Sequence, residues 1–241
     1  MPTRPDPLTE AAPAPPTAAR PVSFLLLLPA VSALLFALIT WQVVADGPLL
    51  RADERVSGFL VRPGRLWELL ADLGGVAVAV PVLAVVLGHV ALSARSAGQH
   101  RWWVPPAAAA VLMAAVAVVI VPLKELVARP GPPVMGPGTG FYPSGHTATA
   151  AVAYGAATLL LLPRLRTARA RRGLVAICVA LNLAVVCGLV RRGYHWPLDV
   201  LASWCLSAVL LTALALFLGR EVSRSTRRSC AGTPSPRTGP S

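Results

Sequence analysis

Apolar residues run along this chain in long uncharged blocks. Six windows hold no Asp, Glu, Lys or Arg: 21–45, 73–94, 104–123, 144–163, 173–190 and 200–219. A helix rises ~1.5 Å per residue, so a bilayer core of ~30 Å takes about 20 residues to cross. Every window is close to that length, which predicts six transmembrane helices. Pro81, Pro105 and Pro106 fall inside two of the windows. Proline is tolerated near helix ends and within packed membrane bundles, where neighbours satisfy the freed backbone groups. Trp41, Trp67, Trp102, Trp103 and Trp196 stand at or near window edges, as interfacial anchors do, whereas Trp204 lies inside a window and reads as a packing residue.

The flanks differ from the blocks. Residues 1–20 are rich in Pro and Ala and read as a disordered arm, and the block that follows is long enough to span, unlike a cleaved signal. Residues 220–241 are rich in Arg, Ser and Pro and read as a disordered tail. This leaves one membrane domain, 21–219, with no internal repeat.

Composition narrows the function classes. The chain of 241 residues is 55% hydrophobic and 13% charged, whereas a soluble domain is about a quarter charged. A soluble enzyme is therefore excluded. The net charge of +12 suggests nucleic acid at first, but the basic residues lie in short stretches between apolar blocks, as in proteins that orient themselves in a membrane. Six spans put both termini on one side. That side carries fourteen Lys and Arg and the other carries eight, and the loop 164–172 alone holds five arginines. The positive-inside rule then predicts cytoplasmic termini. Four cysteines are too few for a disulfide framework, and Cys178, Cys187, Cys205 and Cys230 read as free thiols.

Polar residues at span ends are the candidates for chemistry. Three clusters fall on the same, extracytoplasmic side: Lys124 to Pro130, Pro143 to His146, and Arg191 to Asp199. His195 and Asp199 are four apart at a helix start and share a face. A carboxylate there can fix the imidazole tautomer and sharpen the other nitrogen as a nucleophile; alternatively, Asp199 merely complements the helix dipole. Ser144 suits an N-cap, Gly145 allows close approach to backbone amides that bind anions, and His146 could donate a proton; a plain helix cap is the simpler reading. Lys124, Arg129, Arg191 and Arg192 could hold phosphate oxygens or could be snorkelling cations. Glu68 and Asp72 read as an acidic first turn of the second span, Glu125 as outward-facing or screening Lys124, and His89 and His100 carry no assigned role.

Taken together, the clusters resemble the type 2 phosphatidic acid phosphatase (PAP2) family, which shares its site with vanadium haloperoxidases. The family pattern is Lys, six residues, Arg-Pro; then Pro-Ser-Gly-His; then Ser-Arg, five residues, His, three residues, Asp. Pro143 to His146 complete the second motif, His195 and Asp199 complete the end of the third, and Lys124 opens the first. The resemblance covers roughly residues 45 to 215. It implies an all-α, six-transmembrane-helix bundle of the PAP2 type. The implied protein is a multi-pass cell-membrane lipid phosphatase with an extracytoplasmic site. Its partners would be a lipid phosphate substrate and the bilayer, without nucleic acid, and its oligomeric state stays open.

By the family's mechanism His195 attacks phosphorus, Asp199 orients it, and His146 protonates the leaving oxygen. Lys124, Arg129, Ser144, the Gly145 amide, and Arg191 or Arg192 would neutralise the phosphate oxygens, with no metal or other cofactor. The departures are specific. The first-motif arginine would fall at Gly131, and the third-motif Ser-Arg at Gly188-Leu189. The sequence reading is a clamp relocated to Arg129 with Arg191 or Arg192. The alternative is a catalytically impaired relative with a lipid-binding or assembly role. A haloperoxidase or phosphotransferase on the same site is a further rival. Phosphatidate, lysophosphatidate, phosphatidylglycerol phosphate and polyprenyl diphosphate are all open as substrates. The high Ala, Arg and Pro usage hints at a GC-rich bacterial genome, which tilts the expectation slightly toward polyprenyl diphosphate.

Overall fold

The computed structural model describes residues 22–231, and its long elements are all α-helices. The expected arm at 1–20 and the last part of the expected tail, 232–241, lie outside the described residues. Eight helices follow in order: α1 Val22–Val44, α2 Pro48–Leu60, α3 Arg65–Asp72, α4 Val76–Ser96, α5 Val104–Val127, α6 Gly145–Leu161, α7 Ala168–Arg192 and α8 Pro197–Ala231. Six of them, α1 and α4 to α8, are long and apolar enough to cross a membrane. Each corresponds to one of the uncharged windows. Pro81 sits inside α4 and Pro105 in the first turn of α5, where its missing N–H would have no helical partner anyway.

α6 is the central helix. Its stretch is 72% buried, against 11% for α1, and it packs on α4, α5, α7 and α8. Its sequence explains this. GHTATAAVAYGAATLLL is mostly Ala, Gly and Thr, small residues that let helices approach closely where no hydrophobic force separates protein from lipid. The outer helices instead show Leu and Val to the lipid, such as Leu27, Val85 and Val118.

The uncharged windows skip α2 and α3, which join the first two spans. α2 starts at Pro48, with fixed φ suited to a first helical turn. Spacing of 3.6 residues per turn divides it into three faces. Leu49, Val56 and Phe59 form an exposed apolar stripe; Asp53 and Ser57 are buried against the bundle; Arg51, Glu54 and Arg55 are exposed on the remaining side. Such a helix suits a membrane surface. Glu68 and Asp72 accordingly lie on α3 and not in the first turn of the second span, because the Gly74-Gly75 turn interrupts the chain there. α3 packs on α7.

Two further expectations are corrected. The tail predicted from 220 is helical through Ala231. Glu221 holds this extension, with Arg101 at 2.8 Å and Arg224 at 3.1 Å. Trp196 is no interfacial anchor: it is 8% exposed, and its indole N–H donates to the Pro130 carbonyl at 2.9 Å. Trp41 and Trp103 are exposed, as anchors are. Cys178, Cys187 and Cys205 are free thiols; the side chain of Cys230 lies outside the described ones.

Candidate active site at one end of the bundle

The site forms where α5 ends, α6 begins and α7 turns into α8. The α7–α8 turn is tight. Gly193 adopts φ 74, the left-handed cap favoured by glycine, and closes α7 through bonds to the Leu189 and Val190 carbonyls. Four residues later α8 starts. Asp199, in its first turn, accepts the Trp196 amide on Oδ2 at 3.2 Å, the side-chain-to-backbone half of a capping box. The same Oδ2 lies 3.2 Å from His195 Nδ1. One carboxylate oxygen therefore starts the helix and holds the imidazole, and Asp199 is fully buried.

Its other oxygen is held as well. Arg129 Nη1 donates to Asp199 Oδ1 at 2.6 Å, and Arg129 Nη2 donates to Asp53 Oδ2 at 2.8 Å. Arg129 is 4% exposed and lies over the Trp196 ring, 5.3 Å from its centroid. It arrives there because Ala128 ends α5 in the left-handed region, φ 47, a conformation that costs a non-glycine residue about 1–2 kcal/mol. Asp53 Oδ1 accepts the amide of Leu198 in the first turn of α8 at 2.9 Å. Burial lifts the Asp53 carboxyl above its ordinary value, against the pull of Arg129 and that amide. The result is a buried chain, Asp53–Arg129–Asp199–His195, across three segments distant in sequence.

Ser144 caps α6: its Oγ accepts the Thr147 amide at 3.4 Å and the Thr147 hydroxyl at 3.0 Å. Its backbone is tied to α8 through the Asp199 carbonyl at 3.1 Å, and Ser203 bonds both the Ser144 and Asp199 carbonyls. The first turns of α6 and α8 are thereby fixed to each other. Gly145 follows, and a Cβ there would sit 3.8 Å from Lys124 Cε, so Lys124 runs along the α6 start; its ammonium donates to the Gly140 carbonyl at 2.8 Å. His146 is exposed, with Nε2 toward the Gly75 turn, and it feels the charges of His195, Asp72 and Lys124. Tyr142 anchors the incoming loop by a 2.7 Å bond to Thr40 of α1, and burial pushes its hydroxyl up to about 12.

The structure thus brings together Lys124, Arg129, Ser144, Gly145, His146, His195 and Asp199. It does not bring Arg191 and Arg192 into this network. Arg191 lies over the Trp67 ring at 5.4 Å, and Arg192 over Tyr194 at 5.5 Å with Glu68 at 3.9 Å. Arg129 enters the site, but its bonds go to two carboxylates.

The two positions where the sequence lacks an arginine are filled. A Cβ on Gly131 would lie 2.6 Å from the Phe141 ring, which stands edge-on to His195 at 5.9 Å between centroids. Leu189 is 1% exposed inside the main apolar cluster, and Gly188 presses so closely on the α3 backbone that a side chain there would overlap Trp67 and Ala71. Sequence reasoning missed Asp53 and Phe141. The signal for Asp53 was present in the three-faced pattern of 48–60, where an acid and Ser57 share a face beside the apolar stripe and apart from the other charges. Nothing local distinguished Phe141. Among the described residues no three His, Cys, Asp or Glu side chains are grouped to hold a metal ion.

Residues 105–223 match the family model described as the PAP2 superfamily. No curated protein sequence gives a match. Among solved structures, the chain is similar to a transmembrane PAP2-type phosphatidylglycerolphosphate phosphatase from Bacillus subtilis. Identity is 20% and the TM-score 0.66, over 81% of this chain and 97% of that one. At that identity the likeness shows a shared fold.

Proposed function

Residues 105–223 are a PAP2 superfamily segment in a six-span membrane fold, and from that premise we propose that the protein hydrolyses a phosphomonoester or diphosphate on a lipid through a phosphohistidine. One observation carries this reading: Asp199 grips His195 Nδ1 while Arg129 fixes its other oxygen. That arrangement leaves Nε2 of His195 as the free nucleophile, with its tautomer set from behind.

In the proposed reaction Nε2 forms a bond to phosphorus as the bond to the lipid oxygen breaks. His146 gives that oxygen its proton, so the lipid alcohol, or the shorter phosphate ester, leaves neutral at that atom. A water then attacks the phosphohistidine and yields its proton to His146. Inorganic phosphate departs, and both imidazoles return to their starting state. Lys124 and the amides at the start of α6 would neutralise the phosphate oxygens, the main service a phosphoryl-transfer site provides. Arg129 would act on the same charge from behind Asp199. The excess of Lys and Arg around the termini and the loop 164–172 supports cytoplasmic ends and an extracytoplasmic site.

The test is phosphate release from a panel of phosphatidate, lysophosphatidate, phosphatidylglycerol phosphate and polyprenyl diphosphate by detergent-purified protein. Release from at least one lipid, lost in His195→Ala, is the expected result. A second reading has its own observation: Phe141 and Leu189 fill the two arginine positions, which favours a protein that binds lipid phosphate without turning it over. Saturable binding of the panel with no release would select it.

A further inference from the structure

We propose that Asp53 of α2 is a positioning residue for His195, acting through Arg129 and Asp199. The inference rests on the reading of His195 as nucleophile. Asp53 is 5% exposed and makes two separable contacts: Oδ2 with Arg129 Nη2 and Oδ1 with the Leu198 amide. The second is structural, a tie from α2 to the start of α8. The first is electrostatic and reaches the site.

An arginine buried against a single carboxylate places its charge wholly on that partner. Arg129 is instead divided between Asp53 and Asp199, at 2.8 Å and 2.6 Å. Asp53 thereby keeps Asp199 a strong acceptor for the Nδ1–H of His195. If the Asp53 charge is lost, Arg129 draws on Asp199 alone, and the grip on Nδ1–H weakens. Low local dielectric makes such sharing matter more than at a surface. His146 and Lys124, on α6 and α5, are the other titratable groups of the candidate site, and neither contacts Asp53. α2 is too short to span, and its other two faces are exposed. Its buried face carries this acid into the centre of the end of the bundle.

Asp53→Asn separates the two contacts, since the amide oxygen can still accept Leu198 N–H while the charge is gone. The full chain, labelled with ¹⁵N-histidine in detergent micelles, reports the ring nitrogens directly; His195→Gln assigns the signals. At a pH where the imidazole is neutral, the wild type is expected to show His195 with Nδ1 protonated. In Asp53→Asn the ratio of that tautomer to the other is expected to fall about fivefold, and kcat about tenfold with KM within twofold. Glu54→Gln removes a carboxylate from an exposed position of the same helix and is expected to change neither. A folded Asp53→Asn with the wild-type ring spectrum overturns the inference. Should Asp53→Asn not fold, Asp53→Glu decides: retained charge is expected to keep the wild-type tautomer, and its loss in a folded Asp53→Glu overturns the inference. A spectral change in a protein that releases no phosphate would leave Asp53 as proposed and refute the phosphatase reading. Phosphate release with an unmoved spectrum would do the reverse.

Discussion

The two halves of the site are built in opposite ways. Behind His195 every carboxylate oxygen is engaged: Asp199 holds the imidazole, the start of α8 and Arg129, and Asp53 holds Arg129 in turn. Where the resemblance placed a pair of guanidinium groups, the Phe141 ring stands beside Gly131 and Leu189 is buried. Removing one partner from a buried ionic network typically costs 3–5 kcal/mol, so the first half tolerates little change. The second half has been exchanged for apolar packing without loss of the fold. The comparison teaches that the imidazole and the two arginine positions of one site can vary independently, because each is held by different neighbours.

Changes in the first half should give the largest effects. His195→Ala is expected to lower phosphate release at least ~10⁴-fold, since it removes the proposed nucleophile; initial-rate measurements on the best lipid of the panel check it. Asp199→Asn is expected to cost about 10³-fold, by loosening the tautomer and leaving Arg129 half-paired. Equal rates for Asp199→Asn and wild type would show that the buried chain has no part in turnover.

The second half gives smaller and opposite effects. Leu189→Arg places a charge in the apolar cluster and is expected to destabilise the protein by more than ~3 kcal/mol, seen as a large fall in the thermal unfolding midpoint. It should not restore a clamp. Gly131→Arg alone meets the Phe141 ring. Combined with Phe141→Ala, which opens that space, it is expected to raise kcat/KM by roughly 10- to 100-fold, the value of a charge-assisted contact in the transition state. A double variant no faster than wild type would mean that phosphate does not sit beside Gly131. The smallest effect belongs to Arg191→Ala and Arg192→Ala. Both are expected to stay within about twofold in kcat/KM, because these side chains rest on Trp67, Tyr194 and Glu68.

What was legible in the sequence follows from the physics of each feature. The spans were readable because a bilayer demands uninterrupted apolar length, and that demand is written residue by residue. His195 and Asp199 were readable because they are one helical turn apart. Asp53 was legible only as an acid on one face of a short three-faced helix that the search for uncharged blocks passes over; its partners Arg129 and Leu198 lie far along the chain. Arg129 was found as a cation near phosphate chemistry, but its two carboxylate partners are set by tertiary packing. Trp196 looked like an anchor at a span edge, yet the loop at Pro130 folds over it. The helical continuation to Ala231 was hidden by an Arg- and Ser-rich composition that only the pairing of Glu221 with Arg101 makes sense of.

The most direct measurement is rapid acid-free quenching of the full chain during turnover of a ³²P-labelled lipid phosphate, followed by mapping of the labelled peptide. Covalent phosphate that is labile to acid and stable to alkali is expected on His195, absent from His195→Ala, and lost at the rate at which phosphate appears. Steady phosphate release with no label on His195, or release by His195→Ala at the wild-type rate, would contradict it.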